Sequence, residues 1–336
     1  MFRRWREALE GLWSELKAYN KAIKLNADKL DHLSWQVDLL TRENRLLLGH
    51  LSLPPTELWL GKPAFQDGGP AVLAFPHSTL CRQDSFEQPY FSYWARRLAA
   101  YLFYHRKLWE HVFICQALWE RGAIRPNARA LGFGVGREPL AALFASADCD
   151  VVGTDLAAEA ATELGWSSTA QHAAGLEALR NEQVCPREQF DSHVSFEVCN
   201  MNEIPGHLTD FDFCWSSCAL EHLGSIEHGL KFIERSLDCL KPGGWAVHTT
   251  EYNLSSNTHT LQSGGTVLFR QCDMEALTER LTAKGHKVAP FDLEPGLAPI
   301  DRYIDVPPYR VQPHLKLALE GYATTSIGVI VQRSDR

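Results

Sequence analysis

The feature that most constrains this chain is the run Ala128-Arg-Ala-Leu-Gly-Phe-Gly-Val-Gly-Arg-Glu-Pro139. Ala128 to Leu131 reads as a short strand, Gly132, Gly134 and Gly136 as a turn, and Pro139-Leu-Ala-Ala-Leu-Phe as the opening of a helix. Glycine at every second position removes the Cβ atoms that would hold main-chain N–H groups away from a ligand. A strand that feeds a helix through such a turn begins a parallel α/β unit, so strands and helices should alternate from here on. The next apolar run, Asp150-Val-Val-Gly-Thr, ends at Asp155, nineteen residues after Gly136. An acid there accepts hydrogen bonds from the ribose hydroxyls of an adenosine. A dinucleotide and another adenosine-bearing ligand both satisfy the pattern to this point.

Two features separate them. The dinucleotide fingerprint places its third glycine three residues after the second, where this chain has Arg137, which would crowd a pyrophosphate at the helix start. Further on, Lys241-Pro-Gly-Gly244 leads into a strand, Trp245-Ala-Val-His-Thr-Thr250, after a helix with Leu230, Ile233, Leu237 and Leu240 on one face. With LGFGVGREPL, the strand end GTDL at Asp155, VCNMNEIP around Asn200, FDFCWSSCALEHL from Phe211 and LKPGG at Leu240 to Gly244, the chain resembles the class I S-adenosylmethionine-dependent methyltransferases over roughly residues 100 to 336. Within them it looks closest to the branch that methylates small molecules, including enzymes of bacterial glycan assembly. The resemblance implies an α/β fold: a doubly wound, seven-stranded, mostly parallel Rossmann-like sheet with an antiparallel last strand. It also implies S-adenosyl-L-methionine as cofactor and methyl transfer, here to an oxygen of a small-molecule or glycan-type acceptor. An NAD(P)-dependent oxidoreductase or epimerase stays open as an alternative, as does a catalytically silent adaptor that keeps the fold.

Carried over residue by residue, the resemblance sets Gly132, Gly134 and Gly136 against the amino-acid part of the cofactor, Asp155 against its ribose and Leu156 against adenine. Asn200 stands where the family often has an acid that accepts from the adenine amine, and Met201 follows it; an Asn carbonyl accepts the same bond. Ser216 and Ser217 end the fourth strand of the pattern and would border the sulfonium. In His105-Arg-Lys-Leu-Trp-Glu110, Lys107 or Arg106 is a partner for the methionine carboxylate. Methyl transfer to a hydroxyl also needs a base near the carboxyl end of the fourth or fifth strand, where open parallel sheets bind ligands. Glu221, His222, His248 and Glu251 are the candidates, and His222 leads because imidazole titrates near neutrality. Some relatives bind a divalent metal through a Glu three residues before the Glu-His pair. That position is Cys218 here, and no metal is expected. Val306-Pro-Pro-Tyr309 resembles an element of nucleic-acid methyltransferases but lies far downstream of the fourth strand, and is read as a loop.

Upstream, apolar residues recur at steps of four and three through Trp5, Leu9, Leu12, Leu16, Tyr19, Ile23, Leu30, Leu33, Val37, Leu40, Leu47 and Leu51. This is a heptad seam, with polar gaps at Asn26 and Asn44, and it predicts a coiled-coil helix over residues 1–51 and a homo-oligomer formed through residues 5–51. Leu53-Pro54-Pro55 stops the helix; residues 52–92 read as a linker or arm and 93–336 as the methyltransferase domain. Residues 1–51 carry nine Lys/Arg against seven Asp/Glu, so a net charge of −8 leaves −10 on the remainder. An acidic body lacks the clustered cations that a nucleic-acid partner requires. Phe2, Trp5 and Trp13 beside Arg3, Arg4 and Arg6 suggest a peripheral membrane contact, which Glu7 and Glu10 weaken. No apolar run is long enough to span a bilayer and no secretory signal is legible, so a cytoplasmic location is expected. The nine cysteines are scattered and should be reduced and mostly buried.

Overall fold

Ser78–Leu80, inside the stretch that reads as an arm, is already a strand of the sheet, β1, paired antiparallel with Gly328 and Ile327 near the carboxyl terminus. The computed structural model describes residues 16–40 apart from 28, 35, 38 and 39, together with residues 68–158 and 172–335. Phe86, in the short helix α1 (Gln83–Phe86), and Tyr90 and Phe91, in α2 (Pro89–Arg97), are buried in the core. The stretch that reads as an arm thus contributes a strand and core residues among the described residues. At three residues β1 is too short to show alternation, and it is defined by its long-range partner instead.

Among the described residues the sheet has ten strands where seven were expected. Its centre is five parallel strands, β2 (Arg129–Phe133), β3 (Asp150–Asp155), β4 (Val194–Val198), β5 (Phe211–Ser217) and β6 (Leu240–Asn253), in the order β4-β3-β2-β5-β6. After β7 (Lys287–Val288), β8 (Phe291–Asp292) and β9 (Lys316–Leu319), the long β10 (Tyr322–Gln332) runs antiparallel to β6, with register from Thr324 opposite Asn253 to Gln332 opposite Trp245. β7, β9 and β1 all pair with β10, and β8 pairs with β1. The parallel strands read as continuous apolar runs because both of their faces are covered. Successive residues point to opposite faces. Ala130, Phe213, Trp215, Val247 and Ile330 join a core on one face, whereas Leu131, Cys214, Ala246, Val329 and Val331 join a second core on the other.

Helix α3 (Arg106–Glu120) covers the first face, and its Phe113 lies so close to β10 that a Cβ on Gly328 would stand 2.2 Å from the ring. The six-residue α4 (Leu140–Ala145) and α5 (Arg187–His193) complete that side. On the second face α6 (Ile226–Ser236) buries Leu230 and Ile233, and α7 (Gln271–Ala283) buries Met274, Leu277 and Leu281. Ser225 caps α6 by accepting from the His228 N–H at 3.1 Å. All nine cysteines are free, and seven are buried.

The described positions between 16 and 40 are helical. The seam residues Leu16, Tyr19, Ile23, Leu30, Leu33, Val37 and Leu40 are each more than half exposed on the single chain. The rest of the predicted coiled coil, with Asn44 and the aromatic and basic residues at the amino terminus, lies outside the described residues. No helix among the described residues is long and apolar enough to cross a membrane.

Candidate functional site

Chain order reverses between β2 and β5, since β3 and β4 lie on one side of β2 while β6 lies beyond β5. Open α/β sheets form a crevice at the carboxyl ends of the strands at such a point. A cavity of about 400 Å³ lies there, walled by the segments that leave β2, β3, β4 and β5 and by α3.

The β2 turn supplies Gly134 and Gly136, with φ of +56° and +52°. A Cβ at Gly134 would stand 2.9 Å from Ala219 Cβ and 3.2 Å from Met201 Sδ, so the backbone itself forms this part of the wall. Gly132 belongs to β2 and does not line the cavity. A Cβ there would stand 2.4 Å from both Trp215 and Val135, which makes it a packing glycine. Asp155 ends β3 at the cavity, and Leu156 follows it. Its Oδ2 accepts from the N–H groups of Gly136 at 3.1 Å and Ala173 at 2.9 Å, and its Oδ1 from Leu156 at 2.7 Å. One carboxylate thus ties the glycine turn to the end of β3. After β4 come Asn200 and Met201, both lining. Asn200 Oδ1 accepts from the Asn202 N–H at 3.0 Å, leaving one of its two lone pairs for a ligand.

At the end of β5 the wall is Ser217, Cys218 and Ala219, and Ser216 points away. Ser216 is fully buried on the second face, 2.8 Å from His248 Nδ1; Ser236 lies 3.2 Å from the other ring nitrogen. Burial pushes the His248 imidazole down to about 3, and a ring enclosed in this way has no access to a ligand. The strand period of two decides between Ser216 and Ser217, and the spacing of the motif does not show which of them faces the crevice.

The 3₁₀ turn Leu220–His222 carries the Glu-His pair, with Glu221 Oε1 3.9 Å from His222 Nε2. His222 lines the cavity, and its Nδ1 is 2.8 Å from the Gly265 carbonyl oxygen. Glu221 is 1% exposed and accepts from Thr250 Oγ1 at 2.9 Å, so it is turned inward. Glu251, 4% exposed on β6, pairs with the Arg106 guanidinium and does not line the cavity either. Burial pushes the Glu251 carboxyl up to about 6, with Arg106 opposing. Cys218, Glu221 and Glu251 bring ligand-capable atoms within 4.8 Å of one another. The charge they face belongs to Arg106, whose Nη1 lies 4.0 Å from Cys218 Sγ.

Of the two cations on α3, Lys107 lines the cavity and Arg106 is turned inward. Both converge on Glu110, which is fully buried, Lys107 Nζ at 2.9 Å and Arg106 Nη1 at 3.6 Å. Glu110 also accepts from Ser326 Oγ, from Cys218 Sγ at 3.0 Å and from Ser217 Oγ at 3.3 Å. Burial alone would raise its pKa, but the two cations and these hydrogen bonds hold it down at about 2. Sequence reasoning missed Glu110 and the lining residues His111 and Glu138. For Glu110 and His111 the signal was an unusual density of charge in a helix whose other residues are mostly apolar, and for Glu138 its place two residues past the last glycine of the turn.

Residues 131–248 match the family model described as a methyltransferase domain. No curated protein matches the chain. Among solved structures the chain is similar to phosphoethanolamine N-methyltransferase 2 of Haemonchus contortus in complex with S-adenosyl-L-methionine, at 17% identity over 66% of this chain and 52% of that one, TM-score 0.41. A second structure of that protein, with phosphomonomethylethanolamine and S-adenosylhomocysteine, gives 22% identity over 49% and 35%, TM-score 0.35. A methyltransferase of Methanosarcina mazei gives 16% identity over 65% of this chain and 98% of that one, TM-score 0.39. This chain spans about half and about a third of the two Haemonchus chains. At these TM-scores the acceptors of those proteins carry no argument for this one.

Proposed function

We propose, from the premise that this chain carries a class I S-adenosylmethionine-dependent methyltransferase domain at residues 131–248, that it methylates an oxygen of a small-molecule or glycan-type acceptor with His222 as the base. The observation that carries the acceptor half of this reading is the imidazole of His222 in the cavity wall, which Ser217 and Cys218 at the end of β5 also line. A hydroxyl acceptor must lose a proton as its oxygen attacks, and imidazole is a base of suitable strength at neutral pH.

The residues present fit the cofactor. A glycine cradle that a Cβ would fill, at Gly134, lines the same cavity as Asp155, whose carboxylate would accept from ribose hydroxyls. Leu156 and Met201 offer apolar surface for adenine, and Asn200 an acceptor for its amine. When bound, S-adenosylmethionine supplies an electrophilic methyl group, so the chain need only align the acceptor, exclude water and take up a proton.

S-adenosylhomocysteine should raise the melting temperature of the full chain and NAD should not, because a ligand that binds the native state stabilises it. Asp155→Ala should weaken S-adenosylhomocysteine at least about tenfold, since two ribose hydroxyls lose a charged acceptor. A shift with NAD alone would refute the cofactor reading. Methyl transfer from labelled cofactor to amines but never to hydroxyls would refute the acceptor reading.

The exposed apolar seam supports a homo-oligomer assembled through the amino-terminal helix, as such a stripe is costly to leave in water. Light scattering on the full chain should give a dimer or trimer, and deletion of residues 1–51 a monomer that still binds S-adenosylhomocysteine. A full-length monomer would remove the coiled coil.

A further inference from the structure

Glu138 stands two residues past Gly136, where the alternation of Gly132, Gly134 and Gly136 would bring the next glycine, and it lines the cavity. Its side chain is 9% exposed. Oε1 accepts from the indole Nε1 of Trp215, on β5, at 2.7 Å, and Oε2 lies 3.8 Å from His111 Nε2 on α3. The chemistry derived above gives this acid no task. Lys107, one turn before His111 on α3, lines the same cavity. Besides Asp155, the site therefore presents an acid from the glycine turn and a cation from a helix packed across it.

We propose that Glu138 and Lys107 together recognise the zwitterionic amino-acid end of the cofactor, Glu138 accepting from the α-ammonium and Lys107 donating to the α-carboxylate. This inference rests on the S-adenosylmethionine reading. A carboxylate that has accepted one indole N–H keeps lone pairs for an ammonium, and a lysine ammonium already on Glu110 has further hydrogens to donate. Arg137, between the last turn glycine and Glu138, also lines the cavity but is exposed to solvent, whereas the Glu138 side chain is largely buried.

The charge state of Glu138 gives the pairing a signature. The groups that bear on it are Lys107, Glu110, His111 and Cys115 from α3, Asp155 from β3 and Trp215 from β5. Burial dominates and pushes its carboxyl up to about 8, against the Trp215 hydrogen bond and Lys107. At neutral pH the free protein therefore holds a mostly protonated Glu138. A facing ammonium favours the ionised form, so binding drives that proton into solvent. Affinity then increases with pH up to the pKa of the free state and levels off above it.

Calorimetry on the full chain, between about pH 6 and pH 8 and in two buffers of different ionisation enthalpy, compares S-adenosylhomocysteine with its deaminated analogue, in which hydrogen replaces the α-amino group. S-adenosylhomocysteine should bind severalfold more tightly per pH unit and release a proton, while the analogue binds at least about tenfold more weakly and shows neither effect. E138Q should bring S-adenosylhomocysteine down to the level of the analogue and abolish the pH slope. The comparison of ligands on the unaltered chain stands even where that variant fails to fold, since Glu138 also holds Trp215. Equal affinity for the two ligands, or a pH slope that survives in E138Q, would overturn the inference while leaving the cofactor assignment intact. Binding of neither ligand would overturn the cofactor reading itself.

Discussion

His222→Ala is expected to lower the turnover number about a hundredfold or more and to leave the affinity for S-adenosylhomocysteine within about twofold. A carbonyl oxygen can only accept, so the contact with Gly265 places the ring hydrogen on Nδ1 and the lone pair of the neutral imidazole on Nε2. That lone pair is what an acceptor hydroxyl needs. The same contact orients the ring, whose Nε2 lies 3.9 Å from Glu221 Oε1. His222 touches neither the glycine turn nor Asp155 by any hydrogen bond named above, which separates the rate from cofactor binding. The measurement is steady-state methyl transfer beside calorimetric titration. Full turnover in a folded His222→Ala would end the base assignment, and equal loss of affinity and rate would recast His222 as a cofactor contact.

Glu110→Ala should cost about 3–5 kcal/mol of stability, the range for breaking a buried ion pair by removing one partner. Glu110 is fully buried and is the only group named here that receives both Lys107 and Arg106. Its loss would take from Lys107 and Arg106 the carboxylate on which both converge, leaving Arg106 its pair with Glu251, while Ser326, Cys218 and Ser217 lose their acceptor. Glu110→Gln should cost less, because an amide oxygen still accepts from the hydroxyls. The pH dependence has a definite sign. The folded-state pKa, about 2, lies below the ordinary value of 4.5, so the stabilisation is complete above about pH 4.5 and is lost as pH falls toward 2. Urea denaturation between neutral and acid pH checks both statements; a loss below about 1 kcal/mol in Glu110→Ala would show that water reaches the cluster and screens it.

These two residues mark different depths of legibility. His222 is visible from a Glu-His pair after the strand that follows Phe211, because a functional group at a strand end follows from local order. Glu110 is not, since an acid among Lys107, Arg106 and His111 reads as a solvated helix face until the sheet is laid beneath it. Arg106 and Lys107 were interchangeable in the sequence for the same reason. One helical step of about 100° turns Arg106 toward Glu251 and leaves Lys107 at the cavity wall.

What the sequence by itself determined is the local grammar. The strand, glycine turn and helix from Arg129 to Ala145, the acid that ends β3 at Asp155 and the amphipathic helix before Lys241 each follow from backbone freedom, reach or hydrophobic period within about thirty residues. Tertiary structure alone decided facing and long-range pairing. It set Ser217 and not Ser216 at the crevice, turned Glu221 inward and His222 outward within one 3₁₀ turn, drew β1 from the arm into a ten-stranded sheet, and gave Glu138 the wall position that the glycine alternation left. The physical reason is that a one-residue step reverses the face of a strand and rotates a helix by about a quarter turn. Which side is buried depends on partners more than two hundred residues away, such as Ser326 for Glu110, and no local pattern encodes that contact.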